Sequence, residues 1–136
     1  MPENENVSRT FATFRLIGKD LDPDTATSLL GLNPTRMFRR GDKRGESKVW
    51  LHGYWEICSQ DVVKTTDLAV HIEWLLEKLE PVREQLGSLI KGEVKADIDC
   101  FFESLTGHGG PTFSPRLLAR IASLNLELGL DIYFAS

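Results

Sequence analysis

The stretch from Asp67 to Ile90 restricts the fold more than any other part of the chain. Apolar residues fall at Leu68, Ile72, Leu75, Leu76, Leu79, Val82, Leu86, Leu89 and Ile90. Steps of three and four place them on one stripe of a helix, and such a stripe must be buried against another apolar surface. Thr66 or Asp67 can cap its start, Gly92 ends it, and Pro81 must kink it or divide it in two. The surface that covers it has to come from segments with the other periodicity. Between Val94 and Glu103, Val94, Ala96, Ile98, Cys100 and Phe102 alternate with Lys95, Asp97, Asp99, Phe101 and Glu103. From Leu126 to Phe134, Leu126, Leu128, Leu130, Ile132 and Phe134 alternate with Glu127, Gly129, Asp131 and Tyr133. Both patterns read as strands with one buried face. Two more strands are expected at Phe11–Ile17 and Val49–Ser59, rich in aromatic and β-branched residues, with Gly53 marking a bulge in the second. Thr35–Arg39 reads as a short extended piece.

Two short helices complete the pattern. Asp22 caps one and Pro23 takes its first position; Ser114 and Pro115 repeat the arrangement. Each pair is followed, after eight intervening residues, by Leu-Asn (Leu32-Asn33 and Leu124-Asn125), with Asn suited to a left-handed exit. The expected fold class is therefore α+β. A mainly antiparallel sheet of about five strands carries helices on one face, as two βαβ-like halves joined by the long helix. Residues 1–9 read as a disordered tail, and residues 10–136 as a single α+β domain, in keeping with a length of 136 residues.

Composition narrows the function classes. The chain has a net charge of −4 and no apolar run long enough to span a membrane, which argues against a nucleic-acid or membrane partner. Its polar, acidic start is unlike a secretory signal, and two cysteines, Cys58 and Cys100, fit a reducing cytoplasmic setting better than a disulfide framework. His52, His71 and His108 have no companion at ligand spacing and read as isolated surface or half-buried residues, so no metal and no cofactor is expected. No nucleophile-base-acid constellation is visible, and no catalytic residue is assigned.

Two surface features remain. Between Arg36 and Lys48, six Arg and Lys residues stand against Asp42 and Glu46. Arg36, Arg39 and Arg40 beside Trp50 and Tyr54 could grip a small anionic ligand, since guanidinium groups bind phosphate and carboxylate bidentately. The second feature is acidic. If the apolar residues of each strand point inward, the opposite face carries Glu56, Asp97, Asp99, Glu103, Glu127 and Asp131. Tyr54, Phe101 and Tyr133 lie among them, and Arg15 is the main positive charge. Such a face could recognise a basic protein, with charge steering the encounter and aromatics anchoring it; Glu56, Asp97, Asp99, Glu103, Asp131 and Tyr133 are its candidate contacts. The leading expectation is a non-catalytic protein-binding module, the alternative a small-anion-binding module, and an enzyme the least favoured class. The oligomeric state is open.

Certain residues carry a resemblance: Asp20-Leu21-Asp22-Pro23, Leu30-Gly31-Leu32-Asn33-Pro34-Thr35, Gly41-Asp42, Trp55, the Leu75–Leu89 helix and the Asp97–Cys100 strand. Over roughly residues 10–134 they are similar to an uncharacterised bacterial domain of unknown function, the DUF4279-like family. The resemblance implies a small, single-domain, cytosolic bacterial protein with no established activity and no catalytic residues to transfer. Small bacterial families of this kind often include immunity proteins of toxin systems, which makes toxin neutralisation one specific form of the binding reading.

Overall fold

Alternation and helical stripe meet across a single interface. The computed structural model describes residues 6–134. Five strands form one sheet: β1 (Val7–Gly18), β2 (Arg36–Phe38), β3 (Gly53–Cys58), β4 (Lys95–Ser104) and β5 (Glu127–Phe134), in the order β2-β3-β1-β4-β5. All neighbours are antiparallel except β4 and β5, which run parallel. The helices are α1 (Pro23–Leu30), α2 (Leu68–Leu79), α3 (Arg83–Ile90) and α4 (Pro115–Ser123). β4–α4–β5 is a contiguous βαβ unit. β1–α1–β2 is a split one, with β3 inserted between its parallel strands. The fold is α+β.

One core joins the layers. Ala12, Phe14 and Leu16 of β1, Trp55 and Ile57 of β3, and Ile98, Cys100 and Phe102 of β4 meet Ile72, Leu75, Leu76, Leu79 and Leu86 of the helices, all of them buried. Each such aliphatic side chain contributes about 1.5–3 kcal/mol by burial. Trp55 packs edge-on against Phe14 at 6.0 Å. Its indole N–H donates to Thr27 Oγ1 at 3.0 Å, so the largest buried ring leaves no polar atom unpaired. Burial pushes the Cys100 thiol up to about 12, as befits an inert core cysteine.

Pro81 divides the long helix. α2 ends at Leu79, Glu80–Val82 make a 3-10 turn, and α3 continues from Arg83. Asp67 is the cap of α2, accepting from Ala69 N.

Several boundaries and placements differ from the sequence expectation. β1 begins at Val7 rather than Phe11. Val7 is buried, and Val7, Arg9 and Thr10 pair with β4 around a register shift at Ser8, so residues 7–9 belong to the sheet; the Asn6 carbonyl accepts from Leu105 N, and residues 1–5 of the expected tail lie outside the described residues. The run Ser8-Arg9-Thr10 hides the alternation because all three residues are polar and the register shifts between Val7 and Arg9; the Ser8 and Thr10 hydroxyls bond across to Glu103 and to the Phe101 carbonyl. Val49–Leu51 is not strand. It lies in a loop in which Trp50 N donates to Asp42 O and Gly41 N donates to Trp50 O.

Gly53 is not a bulge but a point of close approach. A Cβ there would sit 1.9 Å from the Leu21 carbonyl oxygen, so only glycine lets β3 pass the loop that precedes α1. The left-handed exit of α1 is taken by Gly31 (φ 64°), not Asn33, whereas Asn125 (φ 58°) fills that role after α4. His71 is neither exposed nor half-buried; it is enclosed between α2 and the loop that precedes it. The apolar side of β5 is only partly covered, because β5 is the outermost strand and lies at the margin of the helix layer, where α4 packs against it.

Candidate functional site

Because all the helices pack on one side, the other side of the sheet is open. Strand register decides what stands there. Arg36, Glu56, Arg15, Asp97 and Glu127 form one row across all five strands. The next row is Cys58, Thr13, Asp99 and Gly129, and the one after it Phe11, Phe101 and Asp131. Signs alternate from Arg36 to Asp97, and Glu127 then sets a second carboxylate beside Asp97. Arg15 Nε and Nη2 donate to the two Asp97 oxygens at 2.8 and 2.7 Å, and Nη1 lies 3.9 Å from Asp99. This bidentate pairing holds the guanidinium proton more firmly than usual. Arg36 Nη2 is 3.3 Å from Glu56 Oε1, which also accepts from the Tyr54 hydroxyl at 2.9 Å. Burial, then the Glu56 partner, pushes the Tyr54 phenol above its ordinary value.

These residues edge a shallow basin of about 510 Å³ over β1 and β3. Thr13, Thr35, Cys58 and Gln60 add polar atoms, and Phe11 and Val62 add apolar ones. Aromatic clusters flank the basin. On the β2 side Phe38 stacks on Trp50 at 4.2 Å, with the Arg44 guanidinium 4.7 Å over the Trp50 ring. On the β5 side Phe11, Phe101 and Tyr133 stack in succession at 5.0 and 5.1 Å, and Arg9 lies 4.7 Å over Phe101.

The candidate protein-contact residues Glu56, Asp97, Asp99, Glu103, Asp131 and Tyr133 all stand on this face. They are not equally available. Glu56 is only 8% exposed and already serves Arg36 and Tyr54, and Asp97 is committed to Arg15. Asp99, Glu103 and Asp131 are the carboxylates nearer solvent. Burial, with Asp97 and Asp131 close by, raises Asp99 above the usual carboxylate range despite Arg15.

The five candidate anion-binding residues are not brought together. Arg36 and Tyr54 border the basin and Trp50 lies beside Phe38. Arg39 instead pairs with Asp24, and Arg40 with Asp20 at 3.2 Å, at the N-terminal end of α1. Phe11, Thr13 and Phe38 were not singled out by sequence. Register alone puts them on the face, although the stacking partner Phe101 gave a hint of an aromatic surface. His52 and Trp50 precede β3 and so do not share a strand face with Cys58.

Ser59 and His71 deserve separation from this site. Ser59 Oγ and His71 Nδ1 are 2.6 Å apart, the Ala12 N–H donates to the same Oγ at 2.9 Å, and His71 Nε2 meets the Thr65 carbonyl at 2.7 Å. The contacts assign a neutral ring: Nε2–H donates to Thr65 and Nδ1 accepts from Ser59. Burial holds the ring's pKa below the ordinary value. The pair resembles a nucleophile and base, but both side chains are sealed in the interior and their polar atoms are consumed by structural bonds. It is a clamp between β1, the end of β3 and α2. Among the described residues no group of His, Cys, Asp and Glu is arranged to hold a metal ion, and no helix is long and apolar enough to cross a membrane.

The family model of DUF4279, a domain of unknown function, matches residues 8–135, nearly the whole chain. The chain belongs to the DUF4279 family. No curated protein and no solved structure matches it. For this DUF4279 chain, chemistry has to be read from the open face itself, and that face offers paired charges and stacked rings.

Proposed function

We propose that this DUF4279 chain is a non-catalytic binding module of the bacterial cytoplasm whose open sheet face recognises a basic protein surface. The observation that carries the reading is the Phe11–Phe101–Tyr133 stack bordered by Asp99, Glu103 and Asp131. Stacked rings offer a rigid apolar anchor at low entropic cost, and the adjoining carboxylates favour Arg and Lys side chains. Arg15 pairs with Asp97 and Arg36 with Glu56, and the remaining carboxylates Asp99, Glu103, Glu127 and Asp131 outnumber Arg9 and Lys95, so the face carries net negative charge, like the chain. Cys58 and Cys100 are both free, which accords with a reducing compartment. Neutralisation of a basic toxin is one specific form of this role.

The test is capture from the source lysate at low and high salt, using the wild type and the triple variant Asp99→Asn, Glu103→Gln, Asp131→Asn. The expected result is a basic protein held by the wild type, weakened by salt and lost from a variant whose circular dichroism is unchanged. Retention of the same protein by the variant, or a captured protein of acidic character, overturns the reading.

A further inference from the structure

β5 differs from an ordinary edge strand. Natural edges are kept short, bulged, or studded with Lys and Pro to prevent pairing. β2, at the other edge, follows that rule with three residues. β5 runs for eight residues, Glu-Leu-Gly-Leu-Asp-Ile-Tyr-Phe, with no Lys, no Pro and no register shift against β4, and its two charges, Glu127 and Asp131, both stand on the open face, leaving the helix-side row wholly apolar. Its outer backbone edge has no strand partner among the described residues. On the helix side Leu130, Ile132 and Phe134 are 45%, 46% and 68% exposed, and Leu118 of the neighbouring α4 is 46% exposed.

We infer that β5 pairs antiparallel with β5 of a second copy of this chain about a two-fold axis at Leu130, giving a closed dimer with a continuous ten-stranded sheet. Sequence and register select this arrangement. A two-fold axis perpendicular to the sheet sets residues of the same face opposite one another. Centred on Leu130, the helix-side pairs are Leu130 with Leu130, Leu128 with Ile132 and Leu126 with Phe134, all apolar. The open-face pairs are Gly129 with Asp131 and Glu127 with Tyr133, so no carboxylate meets another. A shift of the axis to Gly129 sets Glu127 against Asp131 twice, and a shift to Asp131 sets that residue against its own copy. Like charges directly opposite are unfavourable. The pairing covers the exposed apolar row and satisfies the outer edge. It also joins the two acidic faces side by side without using the basin.

Sedimentation velocity of the full chain reads the outcome. The expected mass is twice the 15.3 kDa of one chain. Ile132→Lys, on an exposed side chain, should leave the circular dichroism unchanged and give monomer. Tyr133→Lys and Tyr133→Glu both lose the stack on Phe101 but set opposite charges against Glu127. The lysine variant should dimerise more tightly than the glutamate variant by on the order of tenfold. Leu130→Cys in a Cys58→Ser, Cys100→Ala background, which removes the β4 neighbour of residue 130 as a competing thiol, should form a disulfide-linked dimer on mild oxidation, because directly opposed strand residues fall within disulfide reach. A wild-type monomer at all concentrations, a dimer indifferent to Ile132→Lys, equal dimerisation of the two Tyr133 variants, or absence of the Leu130→Cys crosslink each overturns the inference.

Discussion

Removing the hydroxyl of Ser59 tests whether the buried clamp is a main support of the fold. Ser59→Ala deletes one oxygen in a site with no solvent exposure. That oxygen accepts from Ala12 N at 2.9 Å and bonds His71 Nδ1 at 2.6 Å. The backbone bonds of Ser59, to Ala12 O and from Val62 N and Val63 N, do not involve it and persist. The variant therefore leaves one buried donor and one buried acceptor without partners. Each orphan costs about 1–3 kcal/mol, so the expected loss is about 2–6 kcal/mol, a large share of the 5–15 kcal/mol typical of a domain. At this chain length that corresponds to a fall in Tm of roughly 3 °C per kcal/mol. Urea unfolding at pH 7.5 is the assay, and the midpoint should fall with m unchanged. Combining Ser59→Ala with His71→Leu should cost less than the sum of the two singles, because the second change removes a group the first has orphaned. A Ser59→Ala loss below about 0.5 kcal/mol, or strict additivity with His71→Leu, would refute the assignment of these bonds as a buried clamp.

Other outcomes follow from the same geometry. Since burial lowers the His71 pKa below its unfolded value of 6.5, the unfolded chain binds the extra proton first. Its contribution is thus complete above pH 6.5 and is lost as pH falls below it; urea midpoints between pH 7.5 and 5 should show this fall, reduced in His71→Leu. Gly53→Ala must displace the Leu21 carbonyl, 1.9 Å from the new Cβ, and should cost more than about 2 kcal/mol or abolish soluble expression, as measured by thermal unfolding. Leu75→Ala empties a site with no exposure in the α2 stripe and should cost about 2–5 kcal/mol by urea titration. For the open face, affinity for a captured basic partner should fall with salt through its on-rate, read by surface binding kinetics at two ionic strengths.

The local elements were written plainly in residues 67–134. A helical stripe with Pro81 inside it, a period-two strand from Val94 and two Pro-headed short helices need only neighbours in the chain to be read, since helix and strand periods are local geometry. Gly and Asn positions were half legible: a left-handed exit after α4 was seen at Asn125, but after α1 the residue nearer the helix, Gly31, took it. Burial of His71 was not legible, because its partners Ser59 and Thr65 come from another segment. Nor was the role of Gly53, whose constraint is a carbonyl more than thirty residues upstream.

For the candidate site, the sequence by itself determined which residues share a strand face, and so that Asp97, Asp99, Phe101 and Glu103 stand together. Strand order and register decided the rest. They set Arg15 against Asp97, sank Glu56 beneath Arg36 and Tyr54, and stacked Phe11 on Phe101. They also drew Arg39 and Arg40 away to α1 and left the apolar side of β5 at an open edge. Alternation fixes the side of a strand that a residue occupies; only the sheet fixes its neighbours, because those bonds join segments distant in sequence.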